Sequence, residues 1–391
     1  MKTLPKSKVL VTRFPYESRF GGEEVHTLRL MEELDKRGIE AFFLGSCPIL
    51  LREFKERGFW VKRAWLAQPP VTLGWLVMFT VLSPFLFLRA GLILGRARKR
   101  WGVETLYALS FGEKLLMTPW ARLFGMKVLW LEHARIGRWM SKNPWRYVYK
   151  AWSRWATVVV TSKAMVGQVR PWVKIGVASE GDRSAAPRVV AIPCGVMSAA
   201  AEPLPRELSD FLGGGQTGLR PAGFSVGTVA RLSADKGVDM LVHLVHSKPD
   251  VRLVIVGSGP LEMSILKRAD PARVRVIPSL PRGQLTSFYR ALDLFVLASR
   301  EMDPFGMVAA EAMAEGTPVL MTSVCGIAAD LADGREAFIV EPRMSELDKA
   351  LKKIMKRKEW ARDVAGRGQT FVEKHYRMET MVAEFERLLI D

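Results

Sequence analysis

The chain has 391 residues, 49% apolar and 25% charged, which excludes a disordered or low-complexity polypeptide and leaves room for two domains of ordinary size. Its three cysteines, Cys47, Cys194 and Cys325, are widely spaced with no CxxC or histidine-rich partner, a pattern that offers no metal site and fits a reducing compartment. The net charge of +18 is one-sided: residues 1–200 hold 32 Lys and Arg against 14 Asp and Glu, and residues 201–391 hold 26 of each. The N-terminal half is therefore expected to meet something anionic.

The basic segment Met1–Lys8 runs directly into Val9-Leu10-Val11 rather than a long apolar core with a cleavage site, so no signal peptide is expected. Strand-like runs then alternate with helical periods: strand 8–11 and helix 24–37, strand 105–108 and helix 114–124, strand 127–131 and helix 145–155, strand 158–161 and helix 163–173. This is the βαβ signature of a parallel sheet with helices on both faces.

Two segments interrupt the alternation. Residues 64–88 carry no charge, and the densest part, 73–88, is followed by Arg89, Arg96, Arg98, Lys99 and Arg100. The run reaches the ~18-residue threshold of a spanning helix, but Gly74, Pro84 and its place inside an α/β domain favour partial insertion or a hydrophobic groove over a crossing. Trp75, Phe79 and Phe85 are its candidate lipid contacts. After Pro144, the aromatics Trp145, Tyr149 and Trp152 share one helical face beside a basic flank of Arg146, Lys150 and Arg154, the composition of an interfacial helix on anionic lipid. An amphipathic core helix with a solvated basic side gives the same pattern.

Between Cys194 and Gly223 the residues Pro203, Pro205, Gly213-Gly214-Gly215, Gly218 and Pro221 suit a linker. Alternation resumes with strands at 224–229, 251–256, 274–277, 294–297, 318–321 and 338–340, and with helices between them. The expected domains are 1–193, a linker at 194–222, 223–376, and a last helix at 377–391.

Strand 225–229 is followed by a loop holding Arg231 and Lys236, a guanidinium and an ammonium where a diphosphate would sit. Strand 294–297 leads to Asp303-Pro304-Phe305-Gly306-Met307, the start of a helix that carries Glu311. Exposed amides at that helix start suit phosphate or sugar hydroxyls.

These motifs resemble the family-4 retaining glycosyltransferases, whose pattern is an Arg…Lys-Gly loop followed by two acids eight apart with Pro-Phe-Gly after the first. Residues 20–26, 190–196 and 254–260 resemble the family's Gly-Gly loop, its Ile-Pro-Asn-Gly-Val turn and its Val-Gly-x-Gly-Pro turn. The resemblance implies a GT-B fold, two doubly wound parallel-sheet (Rossmann-like) α/β domains facing across a cleft. It implies that Arg231 and Lys236 bind the donor diphosphate and Glu311 the ribose. Asp303, with the amides of Phe305, Gly306 and Met307, would bind the sugar, Gly21 and Gly22 would let backbone approach phosphate and acceptor, and His133 would stand beside the transferring sugar. It further implies retention of configuration with no metal or cofactor, the nucleotide-diphosphate sugar being a co-substrate. Three positions depart from the family: Asp303 stands for Glu, Cys194 for Asn, and Cys325 for a turn glycine.

The function expected is transfer of a sugar from a nucleotide sugar to a lipid-linked or anionic glycan acceptor, by a cytoplasmic protein peripheral on the inner face of the cell membrane. The alternatives are a catalytically silent nucleotide-sugar binder or membrane scaffold, and a soluble glycosyltransferase. A nucleic-acid-binding protein is disfavoured because the basic excess accompanies long apolar runs rather than a nucleic-acid module.

Overall fold

The structure, a computed structural model, describes residues 7–15, 21–66, 68–133, 138–174, 189–213 and 223–390. The chain divides into two compact units, one of residues 1–193 with 381–391 and one of residues 194–380.

The first unit is built on strands β1 (Lys8–Arg13), β2 (Glu40–Gly45), β3 (Trp60–Arg63), β4 (Thr105–Ala108), β5 (Lys127–Glu132), β6 (Thr157–Val160) and β7 (Val189–Ala191). All pair in parallel, in the order β3-β2-β1-β4-β5-β6-β7. Its helices are α1 (Gly22–Lys36), α2 (Pro48–Glu56), α3 (Leu73–Trp101), α4 (Phe111–Leu123), α5 (Arg138–Lys142), α6 (Arg146–Ser153) and α7 (Lys163–Val169). The order reverses between β1 and β4, and in doubly wound sheets ligands bind outside the strand carboxyl ends at that point.

The second unit carries β8 (Phe224–Val229), β9 (Val251–Val256), β10 (Val274–Ile277), β11 (Leu294–Leu297), β12 (Val319–Thr322) and β13 (Phe338–Val340), parallel in the order β10-β9-β8-β11-β12-β13. Its helices are α8 (Arg206–Leu212), α9 (Val238–His246), α10 (Glu262–Arg268), α11 (Arg282–Ala291), α12 (Met307–Ala314), α13 (Met344–Lys356) and α14 (Lys358–His375). Its order reverses between β8 and β11. The last helix, α15 (Met378–Ile390), leaves the second unit at Thr380, and its remainder belongs to the first, where Phe385 lies within 6.0 Å of the His26 ring and 6.1 Å of the Tyr107 ring.

The expected linker needs correction over its described part. Val196 bridges to Arg377, and α8 buries Leu208 and Leu212 against the second unit's core, because a glycine- and proline-rich stretch still holds one amphipathic turn-and-a-half. Residues 214–222 lie outside the described residues.

The apolar run of residues 73–88 forms the first half of α3, and Pro84 does not break it. A proline cannot donate to the carbonyl four residues back. That carbonyl, Thr80 O, instead accepts from the Ser83 hydroxyl at 2.8 Å, so the helix continues. Phe79, Leu86, Ala90, Leu94 and Ala97 form its buried stripe. The opposite stripe, Leu73, Val77, Val81, Phe85, Leu88 and Leu92, is exposed. Among the described residues α3 is the one helix long and apolar enough to cross a membrane by length and composition.

Candidate donor and acceptor sites

In the second unit both halves of the candidate donor site stand at strand carboxyl ends on either side of the order reversal. The loop after β8 is clasped from below by the turn after β9: Ala230 N donates to Val256 O and Leu232 N to Ser258 O. Gly257 makes that clasp possible. Its φ of +148° is glycine territory, and a Cβ there would stand 1.9 Å from the carbonyl oxygen of Ala230. A single 3-10 turn, Ala234–Lys236, then delivers the lysine, and Gly237 turns the chain into α9.

Lys236 Nζ lies 2.6 Å from Asp303 Oδ2, with both side chains mostly withdrawn from solvent. The structure thus brings together two residues 67 apart that the sequence assigns to one ligand. Asp303 is fixed on both sides, its N–H donating to Val324 O and its carbonyl accepting from Gly326 N, which makes it a bridge to Cys325. Arg231 is exposed; its Nε donates to Ser233 Oγ at 3.2 Å and its Nη2 stands 3.6 Å from Asp235. Burial works to raise the Asp235 pKa, but the Ser233 hydroxyl, Lys236 and Arg231 outweigh it and hold that carboxyl low.

Gly306, at φ +91°, caps α12, so Phe305, Gly306 and Met307 form the helix entry beside Asp303. Phe305 is buried, and its N–H reaches toward Asp303 Oδ1 at 3.4 Å. Glu311 lies half-buried one turn on and accepts from Tyr289 Oη at 3.2 Å. Arg300, which the sequence reading did not single out, forks onto Asp239 at 2.6 and 2.7 Å and ties the end of β11 to α9. Cys325 is fully buried, and burial above all pushes its thiol up to about 12, so it stays protonated.

In the first unit the order reversal holds a buried polar cluster. Arg13, ending β1, pairs with Glu23 at 2.5 Å and Glu24 at 3.1 Å, both on α1. Gly21 N donates to Glu24 Oε2 at 3.0 Å, so Gly21 and Gly22 open α1 directly above that cluster. His133 follows β5 with its ring 4.5 Å from His26. Its Nε2 is buried without a hydrogen-bond partner among the described residues, as is that of His26. Burial, then the charges of Arg13 and Lys114, push His133 down to about 3, leaving it neutral at pH 7. Burial and His133 lower His26 in the same sense. Lys114 Nζ contacts Leu131 O at 2.7 Å and Glu132 Oε1 at 2.5 Å, and Tyr149 Oη donates to the same carboxylate oxygen.

Arg13, Lys114 and Glu132 escaped the sequence reading. Their signal was present: each is a charge beside an apolar run of a strand or helix, where an unpaired buried ion would be costly.

Two candidate lipid contacts require correction. Phe79 is buried, edge-on to Trp145 at 5.1 Å, and Tyr149 is buried 4.6 Å from the Trp130 ring. The tyrosine hydroxyl has a carboxylate partner inside, so α6 turns its aromatic face to the core. Trp145 and Trp152 are half-buried, Trp145 donating to Thr80 Oγ1 at 3.0 Å and Trp152 stacking on Trp155 at 4.7 Å. Arg146, Lys150 and Arg154 hold the outer side, Arg146 over Tyr147 and Arg154 over Trp155. Trp75 and Phe85 are exposed on α3.

Residues 216–371, the bulk of the second unit, match the family model described as glycosyl transferases group 1. The D-inositol 3-phosphate glycosyltransferase of Segniliparus rotundus is 35% identical over 138 residues, covering 32% of this chain and 30% of that protein. The mannosylfructose-phosphate synthase of Agrobacterium fabrum is 34% identical over 130 residues, covering 29% and 28%. The matched stretch thus spans under a third of the length of these curated relatives. Over the whole chain, the crystal structure of Anabaena Alr3699/HepE in complex with UDP superposes with a TM-score of 0.76 at 17% identity, covering 98% of this chain and 99% of that one. Sucrose-phosphate synthase from Thermosynechococcus elongatus gives 0.73 at 20% identity, covering 98% of each. The fold is GT-B.

Proposed function

From a GT-B chain whose second unit matches the glycosyl transferases group 1 model, we propose a retaining glycosyltransferase that uses a nucleoside-diphosphate sugar and a membrane-associated acceptor. The observation that carries the donor half is the Lys236–Asp303 contact of 2.6 Å beside the entry of α12, because it sets a cation, a carboxylate and the first amides of a helix together at the strand ends. Lys236 and Arg231 neutralise the diphosphate, Asp303 and the α12 amides hold the sugar hydroxyls, and Glu311 accepts from the ribose. The acceptor hydroxyl attacks the anomeric carbon on the face the diphosphate leaves. The C–O bond to phosphate breaks as the new one forms, and the hydroxyl proton passes to the departing phosphate oxygen. No divalent ion is required in this scheme.

The first unit is proposed to receive the acceptor, with neutral His133 beside the transferring sugar and the Gly21-Gly22 opening above Arg13. The exposed apolar stripe of α3 and the basic Arg146, Lys150 and Arg154 support a peripheral position on the inner face of the cell membrane. The D-inositol 3-phosphate glycosyltransferase and the mannosylfructose-phosphate synthase are both named for phosphorylated small molecules, which favours an anionic acceptor as the second reading. A thermal-shift panel of nucleoside diphosphates and nucleotide sugars tests the donor half: a native-state ligand raises Tm. Incubating the stabilising donor with lipid or soluble acceptors, with and without EDTA, tests the rest. No shift with any nucleotide sugar sinks the proposal, and loss of transfer in EDTA sinks its metal independence.

A further inference from the structure

Helices α3 and α4 meet along a short seam in the first unit. On α3, Gly91 and Gly95 stand one turn apart, and Trp120 of α4 and Phe124, which caps its end, stand against them. A Cβ on Gly91 would fall 2.5 Å from the Trp120 ring, and one on Gly95 would touch Phe124 at 3.4 Å. The missing side chains, with Leu88 and Leu92 above, leave an open apolar trough of about 500 Å3. Trp120 is held in its wall by an indole N–H donated to Phe87 O at 2.8 Å.

The trough has a direction. Its far end is marked by Arg96 and Lys99, which line it together, with Arg98 and Arg100 on the same turns. Its near end runs into the exposed stripe of Val81, Phe85, Leu88 and Leu92. It also lies away from the reaction. Helix α3 ends at Trp101 just before β4 begins, and α4 ends just before β5 begins, with Lys127 N donating to Glu104 O between those strand starts. The basic end of the trough is therefore at the amino ends of the strands, opposite the end that carries Arg13 and His133.

We infer that this trough binds one hydrocarbon chain of an anionic membrane lipid, with the headgroup phosphate on Arg96 and Lys99, as an anchoring site separate from the acceptor. An apolar trough needs an apolar occupant, and two cations at one end of it select one that ends in an anion. Continuity with the exposed stripe of α3 supplies the route from a bilayer. The inference rests on the membrane reading proposed above.

The test uses the full chain and isothermal titration calorimetry with monomeric dodecyl phosphate, inorganic phosphate and dodecanol. The parent is expected to bind dodecyl phosphate at least tenfold tighter than either control. Gly95→Leu, which fills the trough, and Leu92→Asp, an exposed position where a charge leaves folding intact, should each lose tenfold or more at unchanged Tm. Arg96→Glu with Lys99→Glu should remove the preference for dodecyl phosphate over dodecanol. Equal binding of all three probes by the parent, or parent-like affinity in folded Leu92→Asp, would overturn the site. Pelleting of the parent with phosphatidylglycerol vesicles separates the two readings: pelleting without dodecyl phosphate binding overturns the trough and leaves the membrane reading standing. Dodecyl phosphate binding without pelleting overturns the membrane reading and with it the anchoring role of the trough.

Discussion

Lys236 and Arg231 sit on one loop but hold different positions before any ligand arrives. Lys236 is withdrawn and locked onto Asp303, whereas Arg231 is largely solvated beside Asp235. On the proposed donor site both neutralise the developing diphosphate charge, so Lys236→Ala and Arg231→Ala should each reduce turnover by roughly 10²–10³. Stability separates them. Lys236→Ala leaves Asp303 without its cation and should also lower the urea midpoint by the equivalent of about 1 kcal/mol, while Arg231→Ala should not. Near-normal turnover in either variant would remove the donor-site assignment. In the first unit, burial pushes the His133 imidazole down to about 3 from the ordinary value near 6.5 that holds when unfolded. Its folded pKa is depressed, so its contribution is fully present above about pH 6.5 and is lost as pH falls toward 3. Glu113 runs the other way: burial pushes it up to about 7, so its contribution is present at low pH and lost as pH rises through 7. His133→Gln should therefore flatten the acid limb by at most about 1.4 kcal/mol per pH unit while leaving the Glu113 limb. Unfolding by urea at pH 5 and pH 7 measures it, and an unchanged slope would mean that His133 is charged in the native state.

Among the elements, the glycine turn after β9 decides where the cations stand. Gly257→Ala would press a methyl group into the Ala230 carbonyl and force a φ that alanine resists, at a cost on the order of 1–3 kcal/mol. Because the displaced atoms open the Arg231–Lys236 loop, nucleotide affinity should fall with stability, whereas Gly366→Ala, inside α14 with open space around its Cβ, should leave nucleotide affinity unchanged and raise stability by about 0.5–1 kcal/mol. The alternating runs made most of this architecture legible. Strands 105–108, 224–229, 251–256, 274–277, 294–297 and 338–340 appear with the expected bounds, since a strand buried on both faces reads as a continuous apolar run. The expected strands did not include β2, β3 or the three-residue β7. Ala41-Phe42-Phe43-Leu44 is as apolar as the other strands, but β3 is a short and largely exposed edge strand with Lys62 and Arg63 in it, and periodicity gives no signal there. The candidate donor residues stood out in the sequence because they fall in two compact runs, 231–237 and 303–311, each just after a strand. The Arg13, Glu24, His26 and His133 group did not, because three elements and a sheet crossover bring it together. At α6 the same aromatic stripe fits lipid or core, and only the hidden partner of Tyr149, Glu132, decides for the core.

At the scale of the whole molecule the charge asymmetry has to be set beside the exposed apolar surface, and both belong to the first 200 residues. The excess of 18 positive charges there could serve solubility alone, but a solubilising surface has no need of an uninterrupted stripe from Val77 to Leu92. Each Lys or Arg near an acidic bilayer adds about 1 kcal/mol, screened by salt, and each buried methylene adds about 0.8 kcal/mol, insensitive to it. The parent should therefore pellet with phosphatidylglycerol vesicles more than with phosphatidylcholine vesicles, and the difference should shrink as salt rises from 0.05 to 0.5 M, where the screening length has fallen below about 5 Å. Reversing Arg146, Lys150 and Arg154 to Glu should erase the preference while leaving weak binding to both vesicles. Replacing Val81, Phe85 and Leu88 with Ser should weaken both alike, and these exposed positions replace Phe79, whose burial makes it a packing variant rather than a lipid one. Donor-induced thermal shifts should be the same in all three proteins, because the second unit is untouched. If the parent partitions equally onto both vesicles, electrostatics does not select the membrane; if it binds neither, the exposed stripe of α3 has a partner other than lipid.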